Sequence, residues 1–236
     1  MNSNTNIFKY ALSIIMVLLL LNSGSLLAAQ KQSLCVNNLA SPITNFCVVK
    51  SNILWRGAKP DKDDLAWLIK NGVKTIVNLE LLYDDLHTLQ DTHFIDSSTY
   101  KVDYFRVRTW EPLFAFAKVA ADEDVIHFLA IASQAKQPIF VHCRAGENRT
   151  GVMVAAYKII LENQNSPTEI ATILNEMQSY NGVWSDTTTK YIKELILRRD
   201  EILKRVKAFT IEQPIQIMCK NGKCTSNYQY FGSAKK

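Results

Sequence analysis

Apolar and polar positions along this chain follow two different rhythms. Short apolar runs at Ile53–Trp55, Lys74–Leu79, Tyr104–Thr109 and Ile139–His142 have the length of strands. In the third run Phe105 and Val107 face opposite to Tyr104, Arg106 and Arg108. Between the runs the apolar spacing changes to three and four. Asp61 can cap a helix that carries Leu65, Leu68 and Ile69 on one face and stops at Gly72. Asp122–Ser133 reads as a further helix. Gly151–Ile160 is apolar nearly all round, so its helix should be buried. Ser166-Pro167-Thr168-Glu169 is a capping box with proline at the first helical position, and it opens a helix to about Tyr180. A long amphipathic helix is expected from Thr187 to Val206. This alternation predicts an α/β fold with a mostly parallel central sheet flanked by helices. Past it, Ile215–Thr225 surrounds Asn221-Gly222, the strongest two-residue turn signal, and predicts a C-terminal β-hairpin.

The ends of the chain carry different information. Lys9 followed by the apolar stretch Ala11–Leu21, a break at Asn22-Ser23-Gly24-Ser25, and the small pair Ala28-Ala29 read as a secretory signal peptide over residues 1–29. The stretch is short for a spanning helix, which needs about 20 apolar residues. Export to the periplasm or the medium, with no stable membrane span after cleavage, is the expectation. Cysteine usage agrees. Cys143 apart, Cys35, Cys47, Cys219 and Cys224 leave an even number for disulfides in an oxidising compartment. With Asn221 and Gly222 at the turn centre, Cys219 faces Cys224 in a non-hydrogen-bonded pair, where side chains come closest. A bridge there, and a second closing Cys35 to Cys47, is the preferred pairing of the three that four cysteines allow. The expected organisation is a signal peptide at 1–29, a cysteine loop at 30–51, the α/β domain at 52–210, and a hairpin with its tail at 211–236.

The 236-residue chain has a formal charge of +5, which becomes +4 once Lys9 leaves with residues 1–29. That suits an anionic substrate without naming one. Arg198-Arg199 and Lys204-Arg205 fall on the amphipathic helix and read as a solvated face, so nucleic acid is not an expected partner. His87, His93 and His127 show no metal-ligand spacing.

The chemistry concentrates at His142-Cys143-Arg144-Ala145-Gly146-Glu147-Asn148-Arg149-Thr150-Gly151, where a strand-like run meets a helix-like one. A phosphate needs a concave cradle of backbone N–H groups, and a helix start supplies one. Gly146 lets the backbone from Arg144 to Arg149 fold tightly round the ligand. Arg149 brings a planar fork of donors for two phosphate oxygens. Cys143 sits where those dipoles favour the thiolate, the nucleophilic form. Thr150 can hydrogen-bond the sulfur and ease its departure.

This segment resembles the signature loop of the cysteine-dependent protein tyrosine and dual-specificity phosphatases: His-Cys, five residues, Arg, then Ser or Thr. Rhodanese-type sulfurtransferases use a loop of different length, and low-molecular-weight phosphatases carry the Cys near the N-terminus. Upstream, Trp55-Arg56-Gly57-Ala58-Lys59-Pro60 and Val73–Leu79 are similar to the opening segment of bacterial atypical dual-specificity phosphatases. The resemblance covers roughly Asn52 to Tyr180. It implies that residues 52–210 form a phosphatase domain working through a phosphocysteine, with His142 orienting the loop and no cofactor or metal required. Arg56 reads equally well as an ordinary turn residue.

The family usually places an acidic Asp roughly thirty residues before the Cys to protonate the leaving oxygen. No Asp stands there. Glu111 lies 32 positions before Cys143, between Trp110 and Pro112, and is the expected acid on a closing lid. Asp122, Glu123 and Asp124 are alternatives that also read as helix-start residues, and Asp103 looks too far back. The expected substrates are phosphotyrosine or phosphoserine/threonine proteins, with phosphoinositides or inositol phosphates next. A catalytically weak module that captures phosphorylated partners is the reading from a different class, motivated by the missing Asp.

Overall fold

The structure, a computed structural model, describes residues 39–94, 97–110, 118–182 and 186–228. Its strands are β1 Cys47–Lys50, β2 Leu54–Ala58, β3 Thr75–Glu80, β4 Tyr100–Thr109, β5 Ile139–Cys143, β6 Ile215–Lys220 and β7 Lys223–Ser226. They form one sheet in the order β1-β2-β5-β3-β4-β6-β7. The four central strands β2, β5, β3 and β4 run parallel. β1 and the β6–β7 hairpin add antiparallel edges. Every position of β3 and β5 is buried, which is why both read as near-continuous apolar runs.

Helices cover both faces: α1 Lys62–Lys70, α2 Leu86–Gln90, α3 Lys118–Gln134, α4 Asn148–Ala156, α5 Pro167–Ser179, α6 Asp186–Leu197 and α7 Arg199–Ala208. The predicted caps are present. Asp61 and Asp64 form a reciprocal box at α1, and Ser166 with Glu169 forms one at α5. One core lies between the sheet and α3–α7, and includes Val77, Leu79, Phe105, Val107, Val141 and Cys143. A second, with Trp55, Ile76, Tyr104 and Phe140, lies under α1 and α2.

Three expectations need correction. The hairpin is no appendage beyond residue 210. β4 starts at Tyr100, earlier than the apolar pattern indicates, and its first half pairs with β6 from Tyr100↔Cys219 to Tyr104↔Ile215. Likewise β1, inside the presumed cysteine loop, pairs with β2. The long helix from Thr187 is two helices that break at Arg198. There the guanidinium forks onto Asp122 of α3, with Nη2 3.1 Å from Oδ1, and Arg199 Nε donates to the Ile159 carbonyl at 3.3 Å. This basic pair ties helices together instead of forming a solvated face. The buried helix also changes pitch, ending as a π-helical turn over Tyr157–Leu161.

Cys219 and Cys224 are joined by a disulfide across the hairpin, as their facing positions indicated. Cys47 is also disulfide-bonded, whereas Cys143 is free. Cys35 and the 1–29 segment lie outside the described residues. Among the described residues no helix is long and apolar enough to cross a membrane.

Candidate active site

β5 carries the motif to the middle of the sheet, at the C-terminal ends of its parallel strands, where open α/β sheets bind ligands. Alternation sends Cys143 to the α4 side and His142 to the opposite side, where its ring stacks on Phe140 at 5.7 Å. The chain then turns at Gly146, with φ +69°. A Cβ there would lie 2.5 Å from Ala58 N and from the Gly57 carbonyl, so only glycine lets the loop rest against the end of β2.

What shapes the cradle is a set of ties on its outer side. The Arg144 carbonyl accepts from Lys59 N–H at 3.2 Å. The Ala145 carbonyl accepts from Asn45 Nδ2 at 2.9 Å. The Gly146 carbonyl accepts from Arg56 Nη2. With three successive carbonyls held outward, the loop's N–H groups are left for the concave side. The Glu147 carbonyl accepts from Gly151 N–H at 2.7 Å and begins α4. Arg149, half-buried, donates Nη1 to the Leu79 carbonyl at 3.3 Å, and its Nε has no partner among the described residues. Thr150 Oγ1 is fully buried and likewise unpartnered. Arg144 and Ala145 are exposed, Glu147 is half-buried and Asn148 is buried.

Arg56 is completely buried, on the strand next to β5. Its guanidinium lies over the Tyr180 ring at 4.0 Å. Burial pulls its pKa down, while Tyr180, Glu176 and Cys143 pull it back up. Behind the loop, His142 Nε2 lies 2.8 Å from Asp85 Oδ2. Asp85 also accepts from Asn78 Nδ2 at 2.9 Å and faces Lys59 Nζ at 3.9 Å. Burial alone would push the Asp85 carboxyl up. His142, Lys59 and Asn78 together hold it below the ordinary carboxylate value. Lys59 pairs further with buried Glu80 at 3.5 Å. Thus the expected buried hydrogen bond of His142 exists, and Asp85 makes it.

Glu111 and Pro112 lie outside the described residues. The alternative carboxylates sort clearly. Asp122 accepts from Tyr191 OH at 2.9 Å as well as from Arg198. Glu123 pairs with Arg205. Asp103 faces Lys136 at 3.0 Å and pairs with Thr75, at the far end of the sheet from the motif. Asp124 differs. Burial pushes its carboxyl up to about 6, against a hydrogen bond from Thr109 at the motif end of β4.

One side of the rim beside the cradle is apolar, although Lys59 Nζ lies 5.4 Å from the centre of the Tyr83 ring. Leu82 is 79 % exposed, Tyr83 64 % and the neighbouring Trp110 53 %. The pairing of Glu80 with Thr109 sets residues 81–83 beside Trp110. Arg106 staples this segment, donating Nη2 to the carbonyls of Glu80 at 3.0 Å, Leu81 at 3.3 Å and Tyr83 at 2.9 Å. Among the described residues no group of three or more His, Cys, Asp or Glu could hold a metal.

With this geometry in hand, comparison with known proteins is informative. The family described as DSP-PTPase phosphatase fused to NAD+ kinase matches residues 41–191, more than half of the chain. The chain belongs to this family. Over 105 residues it is 30 % identical to NAD kinase 2, chloroplastic, of Arabidopsis thaliana, covering 44 % of this chain and 10 % of that protein. Over 45 residues it is 42 % identical to the dual specificity protein phosphatase OPG106 of vaccinia virus (strain Copenhagen), covering 19 % of this chain and 26 % of that one. The chain thus spans about a tenth of the plant relative and about a quarter of the viral one. In fold it is similar to P. aeruginosa TpbA, with TM-score 0.51, 23 % identity and coverage of 72 % of this chain and 94 % of that one. The core catalytic domain of the PP-IP phosphatase SIW14 from S. cerevisiae gives TM-score 0.51 at 20 % identity, covering 71 % and 93 %.

The motif loop was legible in the sequence; its supports were less so. In the sequence, Arg56 looks as much like a turn residue as a functional one. The sequence assigns no role to Asn45, Lys59, Asn78 or Asp85: Asn45 and Lys59 reach the loop across most of the domain, whereas Asn78 meets Asp85 only 7 positions on, in a contact that matters because Asp85 also holds His142.

Proposed function

We propose that this chain is a cysteine-dependent phosphatase that hydrolyses phosphate monoesters on proteins. The observation that carries the reading is the cradle itself. Cys143 stands at the strand end, three carbonyls are tied outward, and Arg149 stands at the first turn of α4. Cys143 Sγ attacks phosphorus in line, forming an S–P bond as the P–O ester bond breaks. The loop N–H groups and Arg149 hold the equatorial oxygens. Glu111 gives its proton to the leaving oxygen, then takes one from water as that water breaks the S–P bond and releases inorganic phosphate. Asp124, protonated in part near neutral pH, is the next choice of acid.

Leu82, Tyr83 and Trp110, exposed beside the cradle, offer an apolar face that suits an aromatic phosphate ester on a polypeptide. TpbA has been crystallised as a Cys-to-Ser variant with pTyr, which agrees in kind with this choice. The intact Cys143 and Arg149 weigh against a module that only binds. Export after removal of residues 1–29 belongs to the same proposal, supported by the Cys219–Cys224 disulfide.

The test is phosphate release from an aryl phosphate, phosphotyrosine and phosphothreonine peptides, and inositol phosphates. Cys143→Ser is expected to abolish release from all of them, and Arg149→Lys to be severe, because a point charge cannot replace a bidentate fork. Turnover by Cys143→Ser within severalfold of wild type would remove the mechanism. Faster release from inositol phosphates than from peptides would replace the substrate class.

A further inference from the structure

β4 is longer than the strand beside it. It runs to Thr109, but β6 pairs only as far as Tyr104, opposite Ile215. Past that point no strand among the described residues pairs with that edge of the sheet. Asp103 turns its N–H toward Lys74 O on the β3 side. By alternation the backbone groups of Tyr104 and Arg106 point outward, and those of Arg106 meet no partner strand among the described residues. The register then shifts between Arg106 and Thr109, a bulge that re-aims the following side chains. A cavity of about 320 Å³ lies here, lined among others by Phe105, Arg106, Arg108, Glu212 and Ile215.

Four charged side chains line this groove: Asp84, Arg106, Arg108 and Glu212. Glu212 is engaged by His127 at 2.8 Å. Asp84 faces Arg106 at 4.0 Å and accepts from Leu86 N–H at 3.0 Å. Arg108 is exposed and makes no hydrogen bond or ion pair among the described residues. It is a basic group in the groove whose guanidinium has no partner among the described residues. Arg106, in the same wall, also holds the rim segment 80–83 beside the cradle.

We propose that the open edge of β4 docks an acidic, extended segment of the phosphorylated protein, adding to the sheet as a strand while Arg108 takes a carboxylate. This rests on the phosphatase reading above and specifies its substrate. The spacing follows from the sheet. An added strand beyond β4 would lie three strand spacings from β5, roughly 14 Å, which about four residues of extended chain span. The acidic residues therefore belong about three to five positions from the phosphorylated one.

The experiment uses phosphotyrosine peptides with a six-residue arm on either side of the phosphoresidue. The arm is rich in Glu in one series and in Gln in the other. For wild type, the Glu arm on one side is expected to raise kcat/KM roughly tenfold over the Gln arm, mainly through KM, with the gain shrinking in high salt. Arg108→Glu should erase that gain. It should leave release from a small aryl phosphate, which does not reach the edge, within about twofold. Independently of turnover, the unphosphorylated Glu arm added to the Cys143→Ser protein should shift the backbone amide resonances of Arg106, Arg108 and Ile215. Equal rates for the two arms, a gain that survives in Arg108→Glu, or amide shifts confined to other surfaces would overturn the groove. If the aryl phosphate is hydrolysed in a Cys143-dependent way and the arms do not matter, this inference alone fails. If no substrate is turned over, the phosphatase reading fails, and the amide shifts still decide the groove.

Discussion

Replacing Arg56 tests whether the cradle depends on its outer ties. The guanidinium has no exposed surface, donates to the Gly146 carbonyl and covers the Tyr180 ring at 4.0 Å. Arg56→Met keeps much of the volume and removes the charge. The lost charge-assisted hydrogen bond is worth about 1.5–3 kcal/mol, and the ring contact about 2 kcal/mol when desolvated. Against this, a buried guanidinium costs several kcal/mol of desolvation, which methionine does not incur. The net stability change should therefore be modest, about 1–3 kcal/mol of destabilisation. Activity should suffer more. Released from Arg56, the peptide unit between Gly146 and Glu147 is free to turn, which brings a carbonyl inward and takes the Glu147 N–H away from the phosphate. Loss of one such donor costs about 10²–10³ in rate.

The assay pairs urea unfolding with kcat/KM on an aryl phosphate, well below the unfolding transition. Affinity for inorganic phosphate, read as competitive inhibition, should weaken in parallel, because the same N–H groups hold it. Arg56→Lys should fall between wild type and Arg56→Met, since an ammonium can reach one carbonyl but lacks the flat face that lies on Tyr180. A folded Arg56→Met protein with kcat/KM and phosphate affinity within threefold of wild type would refute the idea that this side chain shapes the loop.

Two further substitutions probe the same region. Gly146→Ala meets both a left-handed φ of +69° and backbone atoms 2.5 Å from the new Cβ, so the loop must move bodily. The backbone penalty alone is about 1–2 kcal/mol, and we expect a lower Tm together with at least a hundredfold loss of turnover, near-normal values of both counting against the geometry. Asp124→Asn should act in the opposite direction on stability. The folded carboxyl titrates near 6 and the unfolded one near 3.9, so the native state binds the extra proton between those values and loses relative stability as pH rises through them. Discounted for partial exposure, the penalty above pH 7 is about 1 kcal/mol. The asparagine variant should be more stable than wild type by that amount in urea unfolding at pH 8 and little different at pH 4, and lower stability at pH 8 would contradict the assignment.

The elements that could be read from the chain are those whose physics is local. Asp61 and Ser166 cap helices through residues three positions on, and Asn221-Gly222 sets the register that brings Cys219 to Cys224. β3 and β5 are buried on both faces and are apolar without interruption. The first half of β4 carries no local strand signal, because Lys101 and Asp103 interrupt its apolar positions. Nothing local indicates that residues 215–219 will pair with it. The break at Arg198 was equally hidden, since it goes with a carboxylate 76 positions earlier.

The same division runs through the site. The stretch from His142 to Thr150 contains the groups that would meet a phosphate, because nucleophile, turn and helix start must be contiguous for the loop to close on a small ligand. The groups that hold the loop open have no such constraint. Asn45 reaches Ala145 across 100 positions, Arg56 reaches Gly146 across 90, and Asp85 reaches His142 across 57. Any residue with the right donor could serve, from whichever element the topology brings alongside. In this sheet those elements are the segment before β1, β2 itself, and the turn after β3, all neighbours of β5 or of its partners. A chain can therefore carry the motif and still lack a working cradle if those outer donors are missing. Intact ties at Lys59 N–H, Asn45 and Arg56 are for that reason stronger support for a working phosphatase than the motif residues alone.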